Sequence, residues 1–524
     1  MLSAMLRGSV PTFRAPRSIT RLLAAVLALT VLGVSAPEGA AYATGLDATS
    51  ALSAGSRLGL HVTAEELAIW RQRTDSGPYK TKGDVSTNSP GDWNMIVAAK
   101  SSFLADPTKA RWNGPTKNNP DGCVLGSRTG TVSDPGVAPP RAETEQLRDA
   151  AFYALVAQPA NGTEIASVVK RELMWQVDAA GTDFTDTDRY CRDRYGAQYK
   201  PMFFMSSWTV KLLFAYDYLR IFSSELFTDA ETARINAWFN GAAAWTVPFV
   251  ESRRSGMFTL SGGQYTATKK ALTIPSDSDP IWAGGPQMKL IQKRYNNHVP
   301  RLARLVTLVG ILLDIESYKQ VGRNYVKEFL TFAYYPNGAV SDFERWSGGV
   351  SHLDGWRYGV EHTGSTMVIA DHLARAGDDS LYRYSTTQGD IDTAGATPTD
   401  AITNGEPKSL HTLMRQLASY VDIDRRPVRY ACASCSDVAH RIDSVDEIKG
   451  VQFANEWEML QSNLYYKDDY FQSIYLRQRG GTPPIPSKPK SVQGRIQGGD
   501  TGIYPGVHFM FGQLEGRVQP YPTG

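Results

Sequence analysis

Between residues 143 and 420, apolar side chains recur at i, i+3, i+4 and i+7, the spacing that lines one face of an α-helix. Eight segments carry it: 143–156, 164–177, 206–222, 229–245, 299–318, 322–332, 361–376 and 409–420. Two earlier helices are expected, one within 51–73 and one over 93–104. Thr63-Ala-Glu-Glu66 and Thr228-Asp-Ala-Glu231 read as capping boxes, and Gly377 as a C-terminal stop. The stretches 74–90 and 106–141 are polar, rich in turn residues, and read as loops. In the segment 299–318, residues Leu302, Leu305, Val306, Leu308, Val309, Ile311, Leu312, Leu313 and Ile315 cover too much of the circumference for a surface helix. An inner ring of buried helices wrapped by an outer ring accounts for that pattern. The expected fold is mainly α, an α/α toroid or incomplete α/α barrel. Beyond residue 422 the pattern changes. Segments 461–466 and 470–478 alternate apolar and polar residues and predict strands, hence a smaller β-rich C-terminal region.

Composition bears mainly on the ends of the chain. Arg7, Arg14, Arg17 and Arg21 precede the apolar run 22–34, and Ala41-Tyr42-Ala43 supplies a small-x-small cleavage pattern. Residues 1–43 therefore read as a secretory signal cleaved after about Ala43, followed by a toroid over 44–421 and the C-terminal region over 422–524. The signal holds four of the 55 basic residues and one of the 53 acidic ones, so the remaining chain is close to neutral. Charge gives no case for nucleic acid, and no later segment reads as a membrane span. A secreted monomer is expected. Cys123, Cys191, Cys432 and Cys435 suit up to two disulfides, with three connectivities open. Cys432 and Cys435 lack the second pair a zinc site needs, and no metal or cofactor is expected.

Candidate chemistry gathers in two stretches. Asn296, Asn297 and His298 stand at the start of the 299–318 helix, with Pro300 in its first turn, where a proline lacks nothing the helix needs. Lys289, Lys293, Arg294, Arg301 and Arg304 flank them, and a helix start favours an anion. The second stretch runs from Asp342 through Arg345, Trp346, His352, Trp356, Arg357 and Tyr358 to His362. Asn, His, Arg and Tyr beside a cationic helix start suit the binding of a carboxylate and the movement of a proton next to it.

These two stretches resemble the alginate-lyase-like polysaccharide lyases, which are helical toroids. The resemblance spans roughly residues 200–376. It rests on Asn296-Asn297-His298 opening an apolar helix, and on Tyr358 ahead of Met367-Val368-Ile369-Ala370-Asp371. Hyaluronate, chondroitin and xanthan lyases are similar in pairing a toroid with a β-rich tail. The resemblance implies β-elimination on an anionic, uronic-acid-containing polysaccharide. Asn297, His298 and Arg345 would neutralise the uronate carboxylate, and Tyr358 would act as base and acid. The gap from Arg345 to Tyr358 exceeds that of the alginate enzymes and His352 sits at the nearer spacing, so the base role is open between Tyr358 and His352. Arg294, Asn296, Trp245, Trp346, Trp356, Arg357 and His362 are the expected substrate contacts. The Gly/Ser/Thr-rich stretch 251–270 reads as a lid or a solvated loop, and His372 and His411 as structural.

Two other functions fit part of the pattern. An inverting hydrolase needs two carboxylates about 6.5–9.5 Å apart, and Asp342, Glu344, Asp354 and Glu361 are available. A non-catalytic glycan-binding protein would keep the aromatic and basic groove but tolerate loss of Tyr358.

Overall fold

The structure, a computed structural model, describes residues 57–74, 92–112, 139–179, 182, 184, 199–254, 258–261, 264–267, 297–334, 340, 352–387, 407–421, 429–430, 441–442, 456–478, 503–512, 514 and 516–522. The signal segment 1–43 and the four cysteines lie outside them. Residues 51–524 form one compact unit.

The described residues hold fourteen helices: α1 Ala64–Arg73, α2 Asp92–Ala105, α3 Arg141–Ala157, α4 Gly162–Asp178, α5 Tyr199–Phe222, α6 Asp229–Arg254, α7 Val299–Leu312, α8 Glu316–Phe332, α9 His352–Arg375, α10 Ser380–Arg383, α11 Leu410–Val421, α12 Glu456–Tyr466, α13 Asp469–Gln478 and α14 Val507–Phe511. Strand is confined among them to three antiparallel pairs: Phe258–Ser261 with Gln264–Ala267, Ser385–Thr386 with Lys408–Ser409, and Arg429–Tyr430 with Arg441–Ile442. The protein is mainly helical, as the periodicity requires.

Both capping boxes form. Thr63 Oγ1 accepts the Glu66 N–H, and the Glu66 carboxylate accepts the Thr63 N–H. Thr228 and Glu231 repeat the exchange at the start of α6. Gly377, at φ +97°, ends α9: its N–H reaches the Ala374 carbonyl and the Asp378 N–H reaches Leu373.

Three expectations are corrected. The helix expected over 299–318 is two helices. Asp314 adopts φ +54°, and the Ile315 N–H closes back on the Gly310 carbonyl, so α7 stops at Leu312 and α8 begins at Glu316. The helix expected from 361 begins at His352, which places Tyr358 on α9. The strands expected at 461–466 and 470–478 are the helices α12 and α13. Their pattern misled because α12 buries polar residues: Gln461, Ser462 and Asn463 are all buried, and Gln461 finds its partners, Asp371 and Tyr504, far away in sequence.

Every residue from Val299 to Ile311 is buried, since α5, α6, α8 and α9 all pack against α7. On α9, Arg375 donates through both Nη atoms to the Glu66 carboxylate at 2.8 and 2.9 Å, and through Nε to Asp371 Oδ2 at 2.7 Å. Asp371 also accepts Tyr521 Oη and Gln461 Nε2, each at 2.7 Å. Trp70 Nε1 donates to the Met510 carbonyl at 2.8 Å, and Arg73 donates to the carbonyls of Phe509 and Gly512. Helices near both ends of the described chain are thereby tied to one another and to α9.

Candidate functional site

The site begins at the first turn of α7. His298 occupies the cap position with helical backbone angles and makes no side-chain cap bond. Asn297 does not cap the helix either. Its side chain is buried, and Nδ2 donates to Glu361 Oε2 on α9 at 2.8 Å. One turn into α7, Arg301 Nη2 donates to the same oxygen, also at 2.8 Å. Arg304 Nη1 then donates to Ser365 Oγ at 3.2 Å. Positions 297, 301 and 304 of one segment thus meet 361 and 365 of the other, as helical spacing on facing stripes dictates. Among the described residues Glu361 Oε1 accepts no hydrogen bond, and its side chain keeps 15% exposure.

Among the described residues the cluster is cationic. Arg304 is fully enclosed, and burial, helped by the charge of Arg301 and opposed by Tyr504, pulls its guanidinium down to about 9. It stays charged at neutral pH, so among the described residues of the cluster two guanidinium groups, Arg301 and Arg304, stand against the one carboxylate of Glu361. The start of α7 adds the positive end of its dipole.

The remaining expected residues divide three ways. Tyr358, His352, Trp356 and Arg357 stand on α9 ahead of Glu361, with Tyr358 about one turn before it, and Asp354 is on the same helix. Their side chains are outside the described set, as are Arg294, Asn296, Arg345, Trp346, Asp342 and Glu344 entirely. Trp245 is on α6, where its ring packs against Phe184 at 5.8 Å. His362, an expected substrate contact, is buried between helices. Its Nε2 pairs with Tyr325 Oη at 2.8 Å and its ring stacks 4.1 Å from that of Phe329. It holds α8 to α9.

Sequence reasoning saw Arg301 and Arg304 only as nearby charge, and Glu361 only as a hydrolase candidate. A signal was there: two arginines on a helix apolar on every side must find partners inside the protein. Ser365 and Tyr325 carried none. Among the described residues no group of three or more His, Cys, Asp or Glu side chains is placed to hold a metal.

Against family models, curated proteins and solved structures, the chain has no significant match. The resemblance to alginate-lyase-like enzymes therefore rests on its two motifs alone.

Proposed function

We propose that the protein is a secreted polysaccharide lyase, built as an α/α toroid, that cleaves a uronic-acid-containing polysaccharide by β-elimination. One observation carries this reading. Asn297 and Arg301 both bind Glu361, which brings Asn297 and the start of α7 against the turn of α9 that follows Tyr358. Two motifs linked only by resemblance in the sequence are neighbours in space.

The C5 proton of a uronate is hardly acidic while the adjacent carboxylate keeps its charge. Asn297, His298 and Arg345 would neutralise that carboxylate, and donors aimed at developing charge are worth about 3–4 kcal/mol each. Tyr358 or His352 takes the C5 proton, and the electron pair spreads into the carboxylate as an enolate. The C4–O bond then breaks, the leaving oxygen receives the proton, and a C4=C5 double bond remains. The hydrolase reading loses support from Glu361, whose Oε2 is committed to Asn297 and Arg301 and is poorly placed to protonate a leaving group.

The test is absorbance near 235 nm during incubation of the mature chain with alginate, glucuronan and glycosaminoglycans. A rise with one polymer, abolished in Tyr358→Phe and His298→Ala, is the expected result. A rise that survives Tyr358→Phe but is lost in His352→Ala moves the base to His352. New reducing ends without absorbance would establish a hydrolase instead, and binding without either product a glycan-binding protein.

A further inference from the structure

We infer that Glu361 is a positioning residue of this site, setting both the orientation of the Asn297 amide and the charge felt by the base; the inference rests on the lyase reading. A carboxamide has one N–H pair and one oxygen, and nothing in its own torsions decides which faces the substrate. The bond from Asn297 Nδ2 to Glu361 Oε2 decides it, because an ionised carboxylate accepts and never donates: it engages one N–H and fixes the NH2 edge on this side, so that the second N–H is the donor that would serve the uronate. Arg301 holds the same oxygen from the next turn of α7, so the carboxylate is itself braced and cannot swing with the amide. Asn297 is buried and Arg301 nearly so, which gives these bonds more weight than surface pairs have.

The second consequence is electrostatic. Glu361 is the carboxylate that Asn297 and Arg301 share. Both candidate bases, Tyr358 and His352, precede it on α9. Tyr358 stands three residues before Glu361, about one helical turn, so the carboxylate's charge would raise the pKa of that phenol and make its phenolate a stronger proton acceptor, whereas His352, nine residues before, would feel it far less. The same charge partly offsets Arg301 and weakens capture of an anionic polymer. Glu361 thus trades substrate affinity for turnover. No bond to substrate is required of it.

Glu361→Gln keeps the shape and an acceptor oxygen but removes the charge. With the polymer that wild type cleaves, this variant is expected to lose about tenfold in kcat. Its KM should hold or fall, and the ascending limb of its pH–kcat profile should move about half a unit to lower pH. In an Asn297→Ala background the same change should cost kcat little more, because part of its effect runs through that amide, while the pH displacement persists. Circular dichroism melts confirm that each variant is folded. An equal kcat loss in both backgrounds with an unmoved pH limb means an ordinary structural residue and overturns the inference while leaving the lyase intact. A wild type that releases no unsaturated product from any polymer overturns the lyase reading first, and this inference with it.

Discussion

Arg375 shows how one buried residue holds distant segments together. Its side chain and those of Glu66 and Asp371 are fully buried, so one guanidinium serves two carboxylates. The surplus negative charge is met by hydrogen bonds to Asp371 from Tyr521 and Gln461. Removing the cation leaves both carboxylates uncompensated in a dry interior. Arg375→Met is therefore expected to cost about 3–5 kcal/mol, read from the urea midpoint of unfolding. Beside it, His61 and His372 pack 5.4 Å apart. Burial, then the neighbouring charges of Arg375 and Arg304, pulls His372 down to about 4, opposed by Asp371. Burial, His372 and Arg375 hold His61 well below its ordinary 6.5. The unfolded chain takes up these protons as pH falls through 6.5 and the folded chain does not, so their contribution is complete above that pH and is lost as pH falls below it, for His372 toward about 4. Asp149 and Asp217 act oppositely. Burial raises both to about 6, so between 3.8 and 6 the folded state keeps protons that the unfolded state releases. The two effects offset one another below about pH 6, and above it the histidine effect outweighs the fading carboxyl one, because 6.5 lies above 6. Melting temperature is expected to rise from pH 6 to 7. In a His372→Phe variant that rise should shrink, and a decline between pH 4 and 6 should emerge.

At the scale of elements, the site depends on how closely α7, α8 and α9 approach. Gly322 of α8 lies at their crossing: a Cβ there would stand 2.1 Å from Thr307 Oγ1 of α7 and 2.9 Å from Ile369 Cγ2 of α9. Thr307 cannot simply turn away, since its hydroxyl donates to the Ala303 carbonyl at 2.7 Å. Gly322→Ala is expected to cost about 1–3 kcal/mol in a thermal or urea melt. In the absorbance assay for the proposed lyase it should also lower turnover, because the start of α7 and α9 carry the two sides of the Asn297–Glu361 bond. The apolar periodicity located these helices but not their ends. Asp314 and Ile315 separate α7 from α8 through backbone angles and carbonyl bonds that no apolar pattern encodes. The extension of α9 back to His352 escaped for a related reason, since Asp354, Gly355, Trp356, Arg357 and Tyr358 do not form an apolar stripe.

For the whole molecule, the last described segment completes the packing of the first. Met510, Phe509 and Gly512 receive Trp70 and Arg73, and Tyr521 caps Asp371. Deleting residues 503–524 strands buried donors on α1 and an acceptor on α9. The truncated chain is expected to be unfolded or to melt far below the full one, and far-ultraviolet circular dichroism distinguishes the two.

Local physics was legible in the sequence. The helical class, the boxes at Thr63–Glu66 and Thr228–Glu231 and the stop at Gly377 depend on residues a few positions apart, so their causes lie side by side in the chain. The partner of Asn297 is 64 residues away, and that of Gln461 is 90 residues away. Only the packing of whole helices brings such groups together. Tertiary structure therefore decided that 456–466 and 469–478 are helical, that His362 joins Tyr325 across two helices, and that Glu361 joins Asn297 and Arg301. A polar side chain's role is set by what lies across the interface, and a one-dimensional pattern does not contain that.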